Sequence, residues 1–151
     1  MAGRVEAIFI TAEHGGEPRP FETALAVAGK GLEGDRYFQD DQPPLNQLTL
    51  IESEAIEAVA EADPSLALAP GESRRQLTTS GIDLNALVGR EFSVGKVRCR
   101  GIELCEPCSH LEQHTGRAGI MRAMVHRAGL NAEILEGGMI SVGDPVAEVS
   151  A

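Results

Sequence analysis

Short apolar runs that alternate along the chain, each closed by glycine, proline or an Asx residue, constrain this sequence more than any other feature. Arg4–Ile10 places Val5, Ala7 and Phe9 on one face and Ile8 and Ile10 on the other, which predicts a strand. Asn46–Ile51, with Leu48 and Leu50 alternating, and the threonine-rich Arg74–Thr79 read the same way, and Thr23–Ala28 is a short apolar run. Glu91–Val94 and Val97–Leu104 flank Gly95-Lys96, a natural hairpin turn. Leu130–Leu135 and Ile140–Val149 read as two further strands joined by Glu136-Gly137-Gly138, with Gly143-Asp144-Pro145 as a second turn or bulge.

Helical signals are few. In Glu52–Glu61, Ile56, Val59 and Ala60 share one face while Glu52, Glu54, Glu57 and Glu61 mark the wet one, and Asp63-Pro64 ends the run. Asp83 is a candidate cap for a single turn over the following residues, and Ile120–Arg127 reads as helical. Glu13–Pro20 is a breaker cluster and hence a surface loop, with His14 in it. The sum is a mainly-β chain with a few short helices, a small and largely antiparallel β-barrel in a single domain over residues 1–151.

With 151 residues and 42% apolar content, the chain can bury a core without staples. No apolar run approaches membrane-spanning length and no signal-peptide pattern opens the chain, so the expected location is the cytoplasm. Three cysteines are an odd number, in keeping with a reducing compartment. The net charge of −10 argues against nucleic acid or an anionic membrane as partner. That charge is unevenly spread. Residues 74–127 carry nine basic against five acidic residues, a net of +4, which leaves −14 on the remainder.

Inside that cationic part lies Leu104-Cys105-Glu106-Pro107-Cys108-Ser109-His110-Leu111-Glu112-Gln113-His114, with two of the three cysteines and two of the four histidines. A thiol reacts as its thiolate, which positive charge and a helix N-terminus both stabilise. Pro107 favours the first turn of a helix, so Cys108 is better placed than Cys105 to be the working sulfur. Several chemistries fit this block. Cys105-x-x-Cys108 has the spacing of a dithiol redox pair, though no βαβ unit surrounds residue 105. Cys105, Cys108, His110 and His114 are zinc-type ligands, but one residue between Cys108 and His110 is too short a loop to wrap a tetrahedron. Cys108 with His110 or His114 could pair nucleophile and base only if the backbone bends. Two small buried hydrophobes with incidental histidines remain the plainest alternative.

Gly31-Leu32-Glu33-Gly34-Asp35-Arg36, Arg74-Arg75-Gln76-Leu77-Thr78-Thr79-Ser80-Gly81-Ile82-Asp83-Leu84, Cys105-Glu106-Pro107-Cys108 and Gly137-Gly138…Gly143-Asp144-Pro145-Val146 occur in this order. Taken together they resemble the blocks of the MOSC family, the C-terminal domain of molybdenum cofactor sulfurases that also occurs as small stand-alone bacterial proteins. Tyr37 stands where many members have histidine, and Gln76 where asparagine is common. The resemblance implies a pyruvate kinase-type β-barrel, a molybdenum-molybdopterin cofactor, and Cys108 as its metal ligand and catalytic residue. It also carries a family association with pyridoxal phosphate.

Gly34, Asp35, Arg36, Arg74, Arg75 and Thr79 are the cofactor-binding residues this resemblance implies, with Arg36, Arg74 and Arg75 suited to clamp a phosphate. The activity implied is reduction of small N-hydroxylated substrates. An external electron donor is then required, since no flavin or iron–sulfur motif is present. The alternative is a sulfur carrier in which Cys108 bears a persulfide, without metal, and exchanges it with a donor or acceptor protein.

Overall fold

The computed structural model describes residues 2–106, 115–117 and 119–149. Among the described residues there are eleven strands: β1 Gly3–Ile10, β2 Arg19–Phe21, β3 Thr23–Val27, β4 Gly31–Leu32, β5 Leu48–Glu52, β6 Leu77–Ser80, β7 Glu91–Val94, β8 Val97–Leu104, β9 Leu130–Glu136, β10 Gly138–Ser141 and β11 Pro145–Glu148. Helices α1 Ser53–Ala62 and α2 Ile120–Ala123 lie between strands, with 3₁₀ turns at Pro44–Asn46, Pro64–Leu66 and Leu84–Leu87.

The main sheet runs β11-β7-β8-β9-β5-β6-β1-β2, and β1 also pairs with β11, so seven strands close into a barrel and β2 hangs on the outer edge of β1. Strands β10-β3-β4 form a second, three-stranded sheet. Closure removes the open edges that would otherwise invite association. One pair departs from the antiparallel expectation: β5 and β6 are parallel, with Leu50 opposite Leu77 and Glu52 opposite Thr79. Joining two parallel strands needs a crossover, and α1 supplies it.

The barrel interior explains the alternation read from the sequence. Val5, Ile8, Leu48, Leu50, Leu77, Phe92, Val94, Val97, Leu130, Ile134 and Val146 are all at most 2% exposed and pack as one cluster. Cys99 belongs to this cluster, and burial pushes its thiol up to about 12, so it is an inert core residue. A second cluster sits outside the barrel wall, where Ile51 on the outer face of β5 meets Val59 of α1, Leu66, Ile120 and Met124. Glycine is required where loops press on the wall. A side chain at Gly101 would run into the Leu87 carbonyl, and Gly129, at φ +113, has no room for a Cβ against the Leu50 carbonyl.

Three expectations about strands and helices need correcting. Arg74 and Arg75 precede β6 rather than beginning it, because Arg74 takes a left-handed conformation (φ 62). The turn expected at Gly143-Asp144-Pro145 is present, with Asp144 Oδ2 accepting the Ser141 N–H, but the strands on either side of it, β10 and β11, enter different sheets. β9 and β10 therefore do not pair: β10 lies against β3, with Ile140 opposite Ala24. The expected helix Ile120–Arg127 stops at Ala123, and His126 turns left-handed at φ 60.

Candidate functional site

At one end of the β5–β6 pair the chain leaves a cleft of about 140 Å³. Its wall comprises Arg36 and Tyr37 from the loop after β4, Thr49 from β5, Arg74, Arg75 and Gln76 from the lead into β6, Cys105 from the end of β8 and Asn131 from β9. Separate elements thus contribute, each fixed by the barrel.

Asp35 organises the floor. Its side chain is fully buried and its two oxygens accept from four donors: the Thr11 N–H (3.1 Å) and Arg36 Nη1 (3.4 Å) on Oδ1, the Tyr37 N–H (3.2 Å) and Gln76 Nε2 (2.9 Å) on Oδ2. A buried carboxylate is tolerated only when paired and hydrogen-bonded in this way. Gln76 in turn accepts the Thr49 N–H on Oε1 (2.9 Å), while its own N–H donates to Thr49 Oγ1 (2.9 Å). β5, the lead into β6 and the 33–38 loop are therefore locked together. The same loop reaches back to the end of β1, where the Arg36 N–H donates to the Thr11 carbonyl at 2.8 Å.

The arginines are held by their edges. Arg36 lies 4.6 Å over the Tyr37 ring, a cation–π contact, and Tyr37 meets His14 edge-on at 5.3 Å. Arg74 Nη1 donates to the Gly16 carbonyl (2.8 Å) and Arg75 Nε to the Ala128 carbonyl (2.7 Å). Burial and the like charge of Arg36 hold the Arg74 guanidinium below its ordinary pKa. Like charges crowd together at a cost unless an anion relieves it, and forked guanidinium groups suit phosphate-type oxygens. Arg74 also lines a separate groove of about 400 Å³ between the Gly15–Pro18 and Ala69–Glu72 loops.

Cys105 enters the cleft with its backbone fixed, since its N–H donates to the Gly129 carbonyl at 2.8 Å. The residues flanking the rest of the cysteine block are tied by polar contacts. Glu106 accepts the His126 N–H (2.8 Å) and pairs with His126 Nδ1 (3.0 Å), while Arg117 pairs with Glu72 at 2.6 Å. Burial pushes the Glu72 carboxyl up, but the Arg117 hydrogen bond, the Ala69 N–H and the Arg117 charge together hold the group below the usual range.

Of the residues expected from sequence, Arg36, Arg74 and Arg75 meet in the cleft. Asp35 lies beneath it as their support. Gly34 lines a neighbouring cavity of about 360 Å³ with Ile10 and Phe21. Thr79 is completely buried, its hydroxyl 3.5 Å from the Ile51 carbonyl. Cys108 lies outside the described residues, as do Pro107, His110 and His114. Tyr37, Thr49, Gln76 and Asn131 were not expected in the site. Tyr37 and Gln76 had a signal, as the two positions where the chain departs from the common residues of the blocks it resembles, whereas Thr49 and Asn131 sit in strands whose pattern reports only burial.

Comparison with known proteins agrees with this architecture. The family model of the MOSC domain matches residues 33–147. Among solved structures the chain is similar to the YuaD protein from Bacillus subtilis, at 15% identity over 100% of this chain and 97% of that one, with a TM-score of 0.83. It is also similar to YiiM from Escherichia coli, at 22% identity over 98% of this chain and 70% of that one, with a TM-score of 0.72. YiiM from Geobacillus stearothermophilus matches at 14% identity over 98% and 75% of the two chains, with a TM-score of 0.75. At these identities the likeness is one of fold. Comparison with curated proteins finds no match.

Proposed function

This chain belongs to the MOSC domain family, and from that premise we propose that its cationic cleft holds the anionic part of a molybdenum-molybdopterin cofactor, with Cys108 as metal ligand. A role associated with the molybdenum cofactor fits the family. The observation that carries the finer reading is the convergence of Arg36, Arg74 and Arg75 on one cleft into which the cysteine block opens at Cys105.

The residues fit such a group. The cleft, at about 140 Å³, matches a phosphate-sized moiety, and the separate groove that Arg74 also lines offers room for a larger body. Arg36, Arg74 and Arg75 bind the anionic part by charge-assisted hydrogen bonds, and a thiolate is a soft ligand suited to a sulfur-rich metal centre. When bound, the group supplies two-electron reduction of a small N-hydroxylated substrate, cleaving N–O to give the amine and water. Two electrons and two protons enter from outside, so an external electron donor is the partner. Tyr37 and Asn131 lie where they can orient a substrate at the cleft wall. The reading takes no nucleic acid and no membrane as partners, and a cytoplasmic location, where thiols stay reduced. Among the described residues no helix is long and apolar enough to cross a membrane.

The placement of Cys105 in the same cationic cleft favours a second reading, a sulfur carrier without metal. There Cys108 bears a persulfide, an acceptor thiolate takes the outer sulfur, and Cys108 leaves as thiolate.

Expression in a host with intact molybdenum cofactor synthesis, followed by measurement of bound molybdenum and pterin, separates the two. Near-stoichiometric metal that Cys108→Ala loses supports the reductase. Absence of metal with a persulfide on Cys108 supports the carrier. Retention of cofactor by the Arg74→Ala/Arg75→Ala double variant would sink the clamp.

A further inference from the structure

Asp35 is a negative charge set directly beneath a site read as anion-binding, which looks like a defect. Simple electrostatics makes it a liability, since it repels the ligand that the arginines attract. Its neighbours point to a different role. The Gln76 amide cannot turn: Oε1 takes the Thr49 N–H, so Nε2 must face Asp35. The Thr11 and Tyr37 N–H groups and the Arg36 guanidinium supply the other donors. Arg36 is thereby gripped between Asp35 Oδ1 and the Tyr37 ring, with its side chain only 9% exposed.

We infer that Asp35, held by Gln76, is the positioning residue of the cleft, fixing Arg36 and the Tyr37 loop in the arrangement that receives an anion. This rests on the anion-binding reading above. It commits the molecule to a sign. Asp35→Asn is nearly isosteric and removes the opposing charge, so a purely electrostatic account makes anion binding tighter. In the positioning account binding weakens, because the new NH₂ must face two donors whichever way the amide is turned.

The probe is pyrophosphate, titrated by calorimetry and by NMR of arginine side chains. Asp35→Asn weakens binding by roughly tenfold, the effect of one misplaced charge-assisted contact. Arg36 side-chain protons, shifted upfield by the Tyr37 ring, move back toward ordinary positions while core methyls such as those of Leu50 stay put. The charge-conserving swap Asp35→Asn/Gln76→Glu moves the carboxylate to position 76, where it accepts from the amide introduced at position 35, and recovers part of the lost affinity. Affinity in Asp35→Asn equal to or tighter than wild type overturns the inference alone. No pyrophosphate binding by the wild type overturns the anion reading and the inference with it. Should Asp35→Asn not fold, Gln76→Met leaves the carboxylate in place without its lock, and a several-fold loss supports positioning whereas unchanged affinity overturns it.

Discussion

Two concavities lie at opposite ends of the parallel β5–β6 pair, and each gathers like charge. At the Thr49 end are Arg36, Arg74 and Arg75. At the Glu52 end a cavity of about 310 Å³ gathers Glu52, Glu54 and Asp83, with His126 and Arg127 also on its wall. In the acidic cavity every one of these carboxylates finishes on a backbone donor: Glu54 accepts from Gly81 (2.7 Å), Glu52 from Leu84 (2.9 Å) and Asp83 from Asn85 (3.1 Å). Glu52 and Glu54 staple the 81–85 loop to the start of α1. In the cationic cleft Arg74 and Arg75 each give up a single nitrogen to a carbonyl, and the charge of Arg36 is answered by one buried carboxylate. The acidic charge is consumed by the fold, whereas Arg74 and Arg75 have no carboxylate partner among the described residues. Consistently, among the described residues no group of three His, Cys, Asp or Glu is arranged to hold a metal ion.

That contrast breaks most severely at Asp35. Asp35→Ala orphans four donors under the cleft and costs about 3 kcal/mol or more in stability, read by urea unfolding. A loss below about 1 kcal/mol would show that the hub is dispensable to the fold. The double variant Arg74→Ala/Arg75→Ala lowers pyrophosphate affinity on the order of 100-fold, with a much smaller change in unfolding midpoint. Equal losses in both would erase the distinction between a ligand site and a structural one.

The acidic end responds to pH instead. Burial, with Asp83 and Glu54 nearby, raises the Glu52 carboxyl above its ordinary 4.5, so its contribution to stability is full below that value and is lost as pH rises through the folded pKa. Glu54, in the same cavity, is also pushed up by burial but held below its ordinary value by hydrogen bonds from the Gly81 N–H, its own N–H and the Ser53 hydroxyl together. Glu52→Gln is thus expected to gain on the wild type as pH rises above the ordinary 4.5, by under about 1 kcal/mol after solvent screening. A relative loss at neutral pH reverses the assignment. The smallest effect belongs to Glu106→Gln at the exposed His126 pair, within about 0.5 kcal/mol. A larger change would give that pair a structural role like that of the acidic staples.

Legibility in the sequence follows the range of the interaction. The β7–β8 hairpin was readable because Gly95-Lys96 and the flanking alternation are local, and the structure pairs Val94 with Val97. The α1 helix was readable for the same reason. Partner choice was not: nothing local says that β5 must lie parallel to β6, or that β10 leaves β9 for β3. The cleft divides likewise. Arg36, Arg74 and Arg75 came from their blocks, and the structure brings them together. Asp35 was expected to touch the cofactor, yet its 0% exposed side chain underlies the site, a distinction that depends on Thr11, Thr49 and Gln76 arriving from elsewhere.

The closure of the barrel has a consequence for the order of events in time. Its seam joins Gly3 to Val146 and Arg4 to Pro145, residues that lie almost a full chain apart. Neighbouring strands such as β7 and β8 can associate early, since little loop entropy opposes them, but the seam demands the longest loop in the molecule. On a ribosome β1 emerges first and waits for β11 with that edge bare. The last step of folding is then a slow search by the final strand for the first, and a nascent chain is exposed to misassociation until that search succeeds.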